Sequence, residues 1–149
     1  MTIEVLSSKE SLSLCRDAAT LVLEGIRGLA HRAGPSDRPL RSLFEDMTAD
    51  LEKNLLEIGV LEGRNAGIRD EKPGQQTARG FLPSLAKSRG TDGVDRESGF
   101  YMAECILGDL SGFYGALVRQ TNDEGSRDLL ERSKRAVESR LDFLRRVVL

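Results

Sequence analysis

Apolar residues recur at alternating spacings of three and four through four stretches of the chain. On a helix of 3.6 residues per turn each stretch draws a single stripe. The first stripe runs Leu12, Cys15, Ala19, Val22, Ile26 and Leu29. The second runs Leu40, Phe44, Met47, Leu51, Asn54, Ile58 and Leu61, with one polar member. A third passes through Ala103, Leu107, Leu110, Tyr114 and Leu117, and a fourth through Leu130, Ser133, Val137, Arg140, Leu144 and Val147. Local signals bracket these stripes. Ser7 to Glu10 has the form of a capping box, and Gly34-Pro35 stops what it starts. Asp37 opens the second stretch with Pro39 in its first turn, where a missing amide hydrogen is harmless. Gly67 closes it, and Asn122-Asp123 precedes the fourth. The pattern predicts helices over about 8–33, 38–66, 96–120 and 123–148.

Each helix would be roughly 25 residues long, on the order of 37 Å. Between the second and third, residues 68–95 lose the stripe and become rich in Gly, Pro and charge, with a short helical turn expected near 82–88. Connections of that length are uncommon in compact domains unless function or topology demands them. A four-helix bundle with one end-to-end crossover does demand one. The expected fold is therefore all-α: one four-helix-bundle domain over residues 1–149, with a long crossover between helices two and three. No strand-like alternation or solenoid-length repeat competes with it.

Composition narrows the function. A chain of 149 residues suits one core. The 22 basic residues do not outnumber the 24 acidic ones, so nothing is available to neutralise a phosphate backbone, and no nucleic-acid partner is expected. The start MTIEVLSSKE has no cationic region followed by an apolar run, and no apolar span approaches ~18 residues. A cytoplasmic protein with no membrane contact is expected. Cys15 and Cys105 form no metal-ligand spacing and read as buried thiols.

The stretch LFEDMTADLEKNLLEI carries five carboxylates. Glu45 and Glu52 fall opposite the stripe and Asp46 points sideways, towards water. Asp50 and Glu57 lie nearer the stripe, as Glu104 does on the third helix. These three could converge on a hard cation through oxygen alone. A carboxylate-bridged two-metal centre needs more, including a Glu-x-x-His pair on each of two helices. The corresponding pairs here are Leu51 with Asn54 and Val137 with Arg140.

Asn54, Tyr114, Ser133 and Arg140 remain as the polar minority on inward stripes. A guanidinium keeps its proton and is not buried alone. Arg140 should either reach solvent, join Asn54 and Tyr114 in a structural network, or receive a small anion in a pocket. His31 sits in the last turn of the first helix, where exposed carbonyls favour a cation. Ser7, Ser8, Ser11 and Ser13 read as cap and surface residues, and GRNAGIRDEKPG lacks the Gly-Lys-Ser/Thr ending of a phosphate-cradling loop.

LFEDMTADLEKNLLEI resembles the second helix of the rubrerythrin-like branch of the ferritin-like superfamily. GFYGALVRQT resembles the third helix, LLERSKRAVESRLDFL the fourth and, more loosely, ATLVLEGIRGLAHRA the first. The resemblance implies di-iron ligands near Ala19, Leu51, Asn54, Leu107, Val137 and Arg140, and every one is missing. It therefore implies the family's bundle without its iron, peroxide reduction or oxidase activity. Four of the six replacements are apolar and lie on the stripes, so the vacated site is expected to be filled with core.

The function expected is a non-catalytic, degenerate rubrerythrin-like module for binding or assembly. It would need no cofactor, and it would pair as a homodimer or with a protein partner through Leu21, Leu23, Val60 and Phe143, which lie off the main stripes. Two alternatives stand beside it. One is a metal-binding protein with a displaced site at Asp50, Glu57 and Glu104 and oxidoreductase-type or iron-handling activity. The other is a small-anion binder at an Arg140 pocket.

Overall fold

Three aspartates fix where helices begin. A computed structural model describes residues 8–33, 37–64, 82–84 and 95–148. Its helices are α1 (Ser8–Ala33), α2 (Arg38–Arg64), α3 (Arg96–Gln120) and α4 (Glu124–Val148). Asp37 Oδ1 accepts from the Leu40 amide at 3.2 Å ahead of α2, and Asp95 Oδ1 from the Ser98 amide at 2.8 Å ahead of α3. Asp123 Oδ2 takes both the amide and the hydroxyl of Ser126, at 2.9 and 2.8 Å, ahead of α4. Each bond satisfies an amide that the first helical turn leaves without an intrahelical acceptor. Ser7 of the expected capping box lies outside the described residues, as do positions 65 and 66, to which α2 was expected to extend.

The directions of the helices follow from their cross-links. Arg16–Glu62 at 2.7 Å and Arg27–Glu52 at 3.0 Å set α1 antiparallel to α2. Arg145–Glu104 at 3.3 Å joins α3 and α4, which are linked by residues 121–123 and run antiparallel. Ser11, in the first turn of α1, meets Thr121 at the end of α3 with 2.6 Å between hydroxyls. Arg96 at the start of α3 binds Asp37 at the start of α2, 3.1 Å away. Thus α1 and α4 run one way, and α2 and α3 the other. The described residues are all-α and contain no strand, and none of these helices is long and apolar enough to cross a membrane.

Most of the expected 68–95 connection lies outside the described residues. Of its described part, Leu82 is buried in the core, and the Ser84 amide donates to Asp109 Oδ2 of α3 at 3.0 Å. The turn expected near 82–88 is described only as far as Ser84.

All four stripes feed one apolar cluster. The α1 stripe is wholly buried, and burying each such leucine or isoleucine contributes ~1.5–3 kcal/mol. Two expectations are corrected on this helix. Leu21 and Leu23, expected on the outside, are only 1% and 6% exposed. Leu23 lies on the shoulder of the main stripe, about 40° from Ala19. Leu21 continues a second buried row with Leu14 and Ala18, so α1 is enclosed on more than one side. Ser11, expected at the surface, is also fully buried. Thr121 directs its only hydroxyl hydrogen to the Leu117 carbonyl at 2.6 Å, so Ser11 must be the donor to Thr121.

A candidate binding cleft between α2 and α4

Helix α4 meets α2 through small and polar side chains. Ser133 and Ala136 stand on α4 where large apolar residues would be needed to close the seam against Leu51 and Asn54. A cleft of about 250 Å³ opens there. Its apolar wall is formed by Met47 and Leu51 of α2, Leu107 and Leu110 of α3, and Val137 of α4. Asn54, Tyr114 and Ser133 add polar atoms, and Asp50, Lys53, Glu57, Arg132 and Arg140 stand around them.

The polar atoms form a hydrogen-bonded chain across all four helices. Ser133 Oγ donates back to the Leu129 carbonyl at 2.9 Å, which uses its only hydrogen. It must therefore accept from Asn54 Nδ2, 2.6 Å away. That turns Asn54 Oδ1 towards Tyr114, whose hydroxyl donates to it at 3.0 Å. On its other side the phenol meets the Cys15 thiol of α1. Burial pushes the Cys15 thiol up to about 12, outweighing the lowering by its hydrogen bond with Tyr114, while the charge of Glu62 adds to the rise. Burial first, and Cys15 after it, hold the Tyr114 phenol well above its ordinary 10.0. Both groups stay protonated at neutral pH, as the chain requires. Cys105, expected to be buried, is half-buried and shares a hydrogen bond with exposed Tyr101.

Arg140 does not join Asn54 and Tyr114. Its Nε and Nη2 donate to the two oxygens of Asp50 at 2.9 and 3.3 Å, and its Nη1 lies 3.7 Å from Asp46. The hydrogen bond to Asp50 raises its pKa further, against a lowering by burial. The reason is reach: Asp46 and Asp50 stand one turn apart on α2 and offer the charge a guanidinium needs, whereas Asn54 and Tyr114 already satisfy each other.

The other expected cation-binding carboxylates are dispersed in the same way. Glu57 accepts from Arg132 Nη1 at 3.1 Å, while Arg132 Nε binds Asp128 at 3.3 Å. Glu104 accepts from Arg145 on the α3/α4 side. Asp50, Glu57 and Glu104 thus each face an arginine rather than one another. No group of three or more His, Cys, Asp and Glu side chains among the described residues could hold a metal ion. His31 is exposed in the last turn of α1 and does not line the cleft.

Of the six positions at which the resemblance would expect iron ligands, Leu51, Asn54, Leu107, Val137 and Arg140 line the cleft, while Ala19 is buried in the core. The expectation of a centre filled with core is corrected: Leu51, Leu107 and Val137 are apolar, but Ser133 and Ala136 leave space beside them. Sequence reading missed Ala136, Lys53 and Arg132. The signal for Ala136 was its spacing of three from Ser133, which puts two small residues on one face opposite a polar Asn54.

No family model, curated protein or solved structure matches this chain.

Proposed function

We propose that this chain is a non-catalytic, ferritin-like binding module whose working part is the cleft between α2 and α4. One observation carries the reading. Positions that the resemblance assigns to a metal centre surround an open cavity of about 250 Å³ with an apolar wall and a polar chain. Concave, mostly apolar sites with a few placed polar groups are where small ligands bind. Ferritin-like topology is supported by the shared direction of α2 and α3, since a connection between consecutive helices that run the same way must travel from one pole to the other. Catalysis is disfavoured because the Ser133 hydrogen is committed to a carbonyl, and no histidine lines the cleft to act as a base.

The displaced-metal reading is weaker, because a cation at Asp50 or Glu57 would have to displace Arg140 or Arg132 from short ion pairs. Self-association or docking to a protein partner would use Leu56, Val60 and Phe143, which are 73%, 60% and 57% exposed.

A thermal-shift screen of small amphiphiles against the wild type and Ala136→Trp tests the cleft. Ala136 is exposed at the mouth, so the indole blocks entry without entering the core. Stabilisation of the wild type that Ala136→Trp abolishes is expected. Two equivalents of iron or manganese retained per chain after purification from supplemented cells would replace the binding reading with the metal one.

A further inference from the structure

The cleft has donors and acceptors of unequal availability, and this asymmetry selects a ligand. All its carboxylates are engaged: Asp50 by Arg140 and Glu57 by Arg132. The two guanidiniums are engaged in return, with Asp46 and Asp128 holding their outer sides. Lys53 is different. It lines the cleft between these two staples, and no ion pair reaches it among the described residues, since Glu57, one turn along, is turned to Arg132. Asn54 stands next to it with one amide hydrogen given to Ser133 and the second without a partner among the described residues.

Counting every neighbouring charge, the rim is not net positive, because Asp46 and Asp128 offset two of its cations. Selectivity comes instead from which groups are free, and the free groups are donors. Beneath them Leu51, Leu107 and Val137 present only carbon.

Resting on the cleft as the binding site, we infer that its ligand is a small monocarboxylic acid with an apolar body. The carboxylate is received by the Lys53 ammonium and the free Asn54 amide hydrogen, and the hydrocarbon lies against Leu51, Leu107 and Val137. Size follows from proportion. A cavity of ~150 Å³ holds benzene, so about 250 Å³ holds on the order of ten non-hydrogen atoms, the bulk of octanoate or of an arylpropanoate. A longer chain would have to project from the mouth past Ala136.

Calorimetric titration with octanoate, octan-1-ol and octylammonium separates the class from the site. Octanoate should bind at least about tenfold more tightly than octanol, and octylammonium most weakly, since a fully paired ring of carboxylates offers it no acceptor. Lys53→Met should weaken octanoate about tenfold and leave octanol unchanged, and Lys53→Glu should make octylammonium the preferred probe. Lys53 is exposed, so these variants keep the fold. Equal binding of octanoate and octanol, or a Lys53→Met variant that binds octanoate like the wild type, overturns the carboxylate assignment while the cleft stands. Probe binding that Ala136→Trp leaves untouched, or no binding by the wild type, overturns the cleft itself.

Discussion

The back-bond from Ser133 to the Leu129 carbonyl orients the Asn54 amide and, through it, the Tyr114 hydroxyl, in a chain that reaches Cys15 on the far side of the molecule. Tyr114→Phe removes one hydroxyl and leaves Asn54 Oδ1 and the Cys15 thiol without their partner. An unsatisfied buried polar group costs ~1–3 kcal/mol. The loss should fall near ~1 kcal/mol because Asn54 is half-buried and the cleft admits water to it. In urea denaturation, Tyr114→Phe and Asn54→Leu together should cost less than the sum of the two alone, and strict additivity would refute the chain. The same residues set an alkaline limit. Above about pH 9 the unfolded chain loses the Cys15 proton, whose ordinary value is 9.0, while the folded chain keeps it up to about 12. The unfolded state then binds fewer protons, so stability is full below pH 9 and falls as pH rises towards 12. Urea midpoints between pH 8 and 11 should decline, and less steeply in Cys15→Ala. Some slope should persist, because the Tyr114 phenol is also raised.

At the scale of the element, capping and charge at Asp37 can be separated. Its side chain accepts from the Leu40 amide and also faces Arg96, whose side chain is largely exposed. Losing the cap costs ~1 kcal/mol, whereas an exposed ion pair is worth ~0–1 kcal/mol and is screened by salt. Asp37→Ala should therefore lower stability by about 1 kcal/mol, and Asp37→Asn, an equally good cap, by much less. If the two variants lost the same amount, the Arg96 pair rather than the cap would be holding the α2 start. Asp95 gives an acid counterpart: the Ser98 amide, and then its hydroxyl, hold its carboxyl below the ordinary 3.8. Its contribution to the start of α3 is present above that value and is lost as pH falls through the lowered one. Helix α4 explains the cleft, because its inward row has Ser133 and Arg140 where α3 has Leu110 and Tyr114. Ala136→Leu, at the exposed mouth, should change stability by no more than about 0.5 kcal/mol and should weaken amphiphile binding by narrowing the entrance. A Leu variant that binds like the wild type would place the ligand elsewhere.

For the whole molecule, the outward apolar residues do not form one surface. Leu56 and Val60 share the outer face of α2 one turn apart, while Phe143 lies on α4 in a shallow hollow with Asp50, Ser139 and Arg140. A two-fold interface uses a single self-complementary patch, so the two groups would act separately. If the chain pairs with itself through α2, sedimentation of Val60→Asp should show loss of the dimer, and Phe143→Asp should leave it intact. A wild-type chain that sediments as a monomer removes the assembly half of the proposal and leaves the cleft.

The sequence by itself determined the four helices, their starts at Asp37 and Asp123, and which stripes turn inward. Those properties follow from local periodicity and from side chains that bond amides three residues away. The inward placement of Asn54, Tyr114 and Ser133 was legible for the same reason. Their pairing was not, nor was the choice of Asp50 over Asn54 as the partner of Arg140. Those depend on the register between helices that are 60 to 90 residues apart in the chain. The burial of Leu21 and Ser11 likewise needed a second neighbour for α1 that no single-helix pattern contains. The cleft was decided last of all, because an empty volume belongs to no residue. It exists only where the small side chains of α4 come level with Asn54 of α2, and packing alone sets that level.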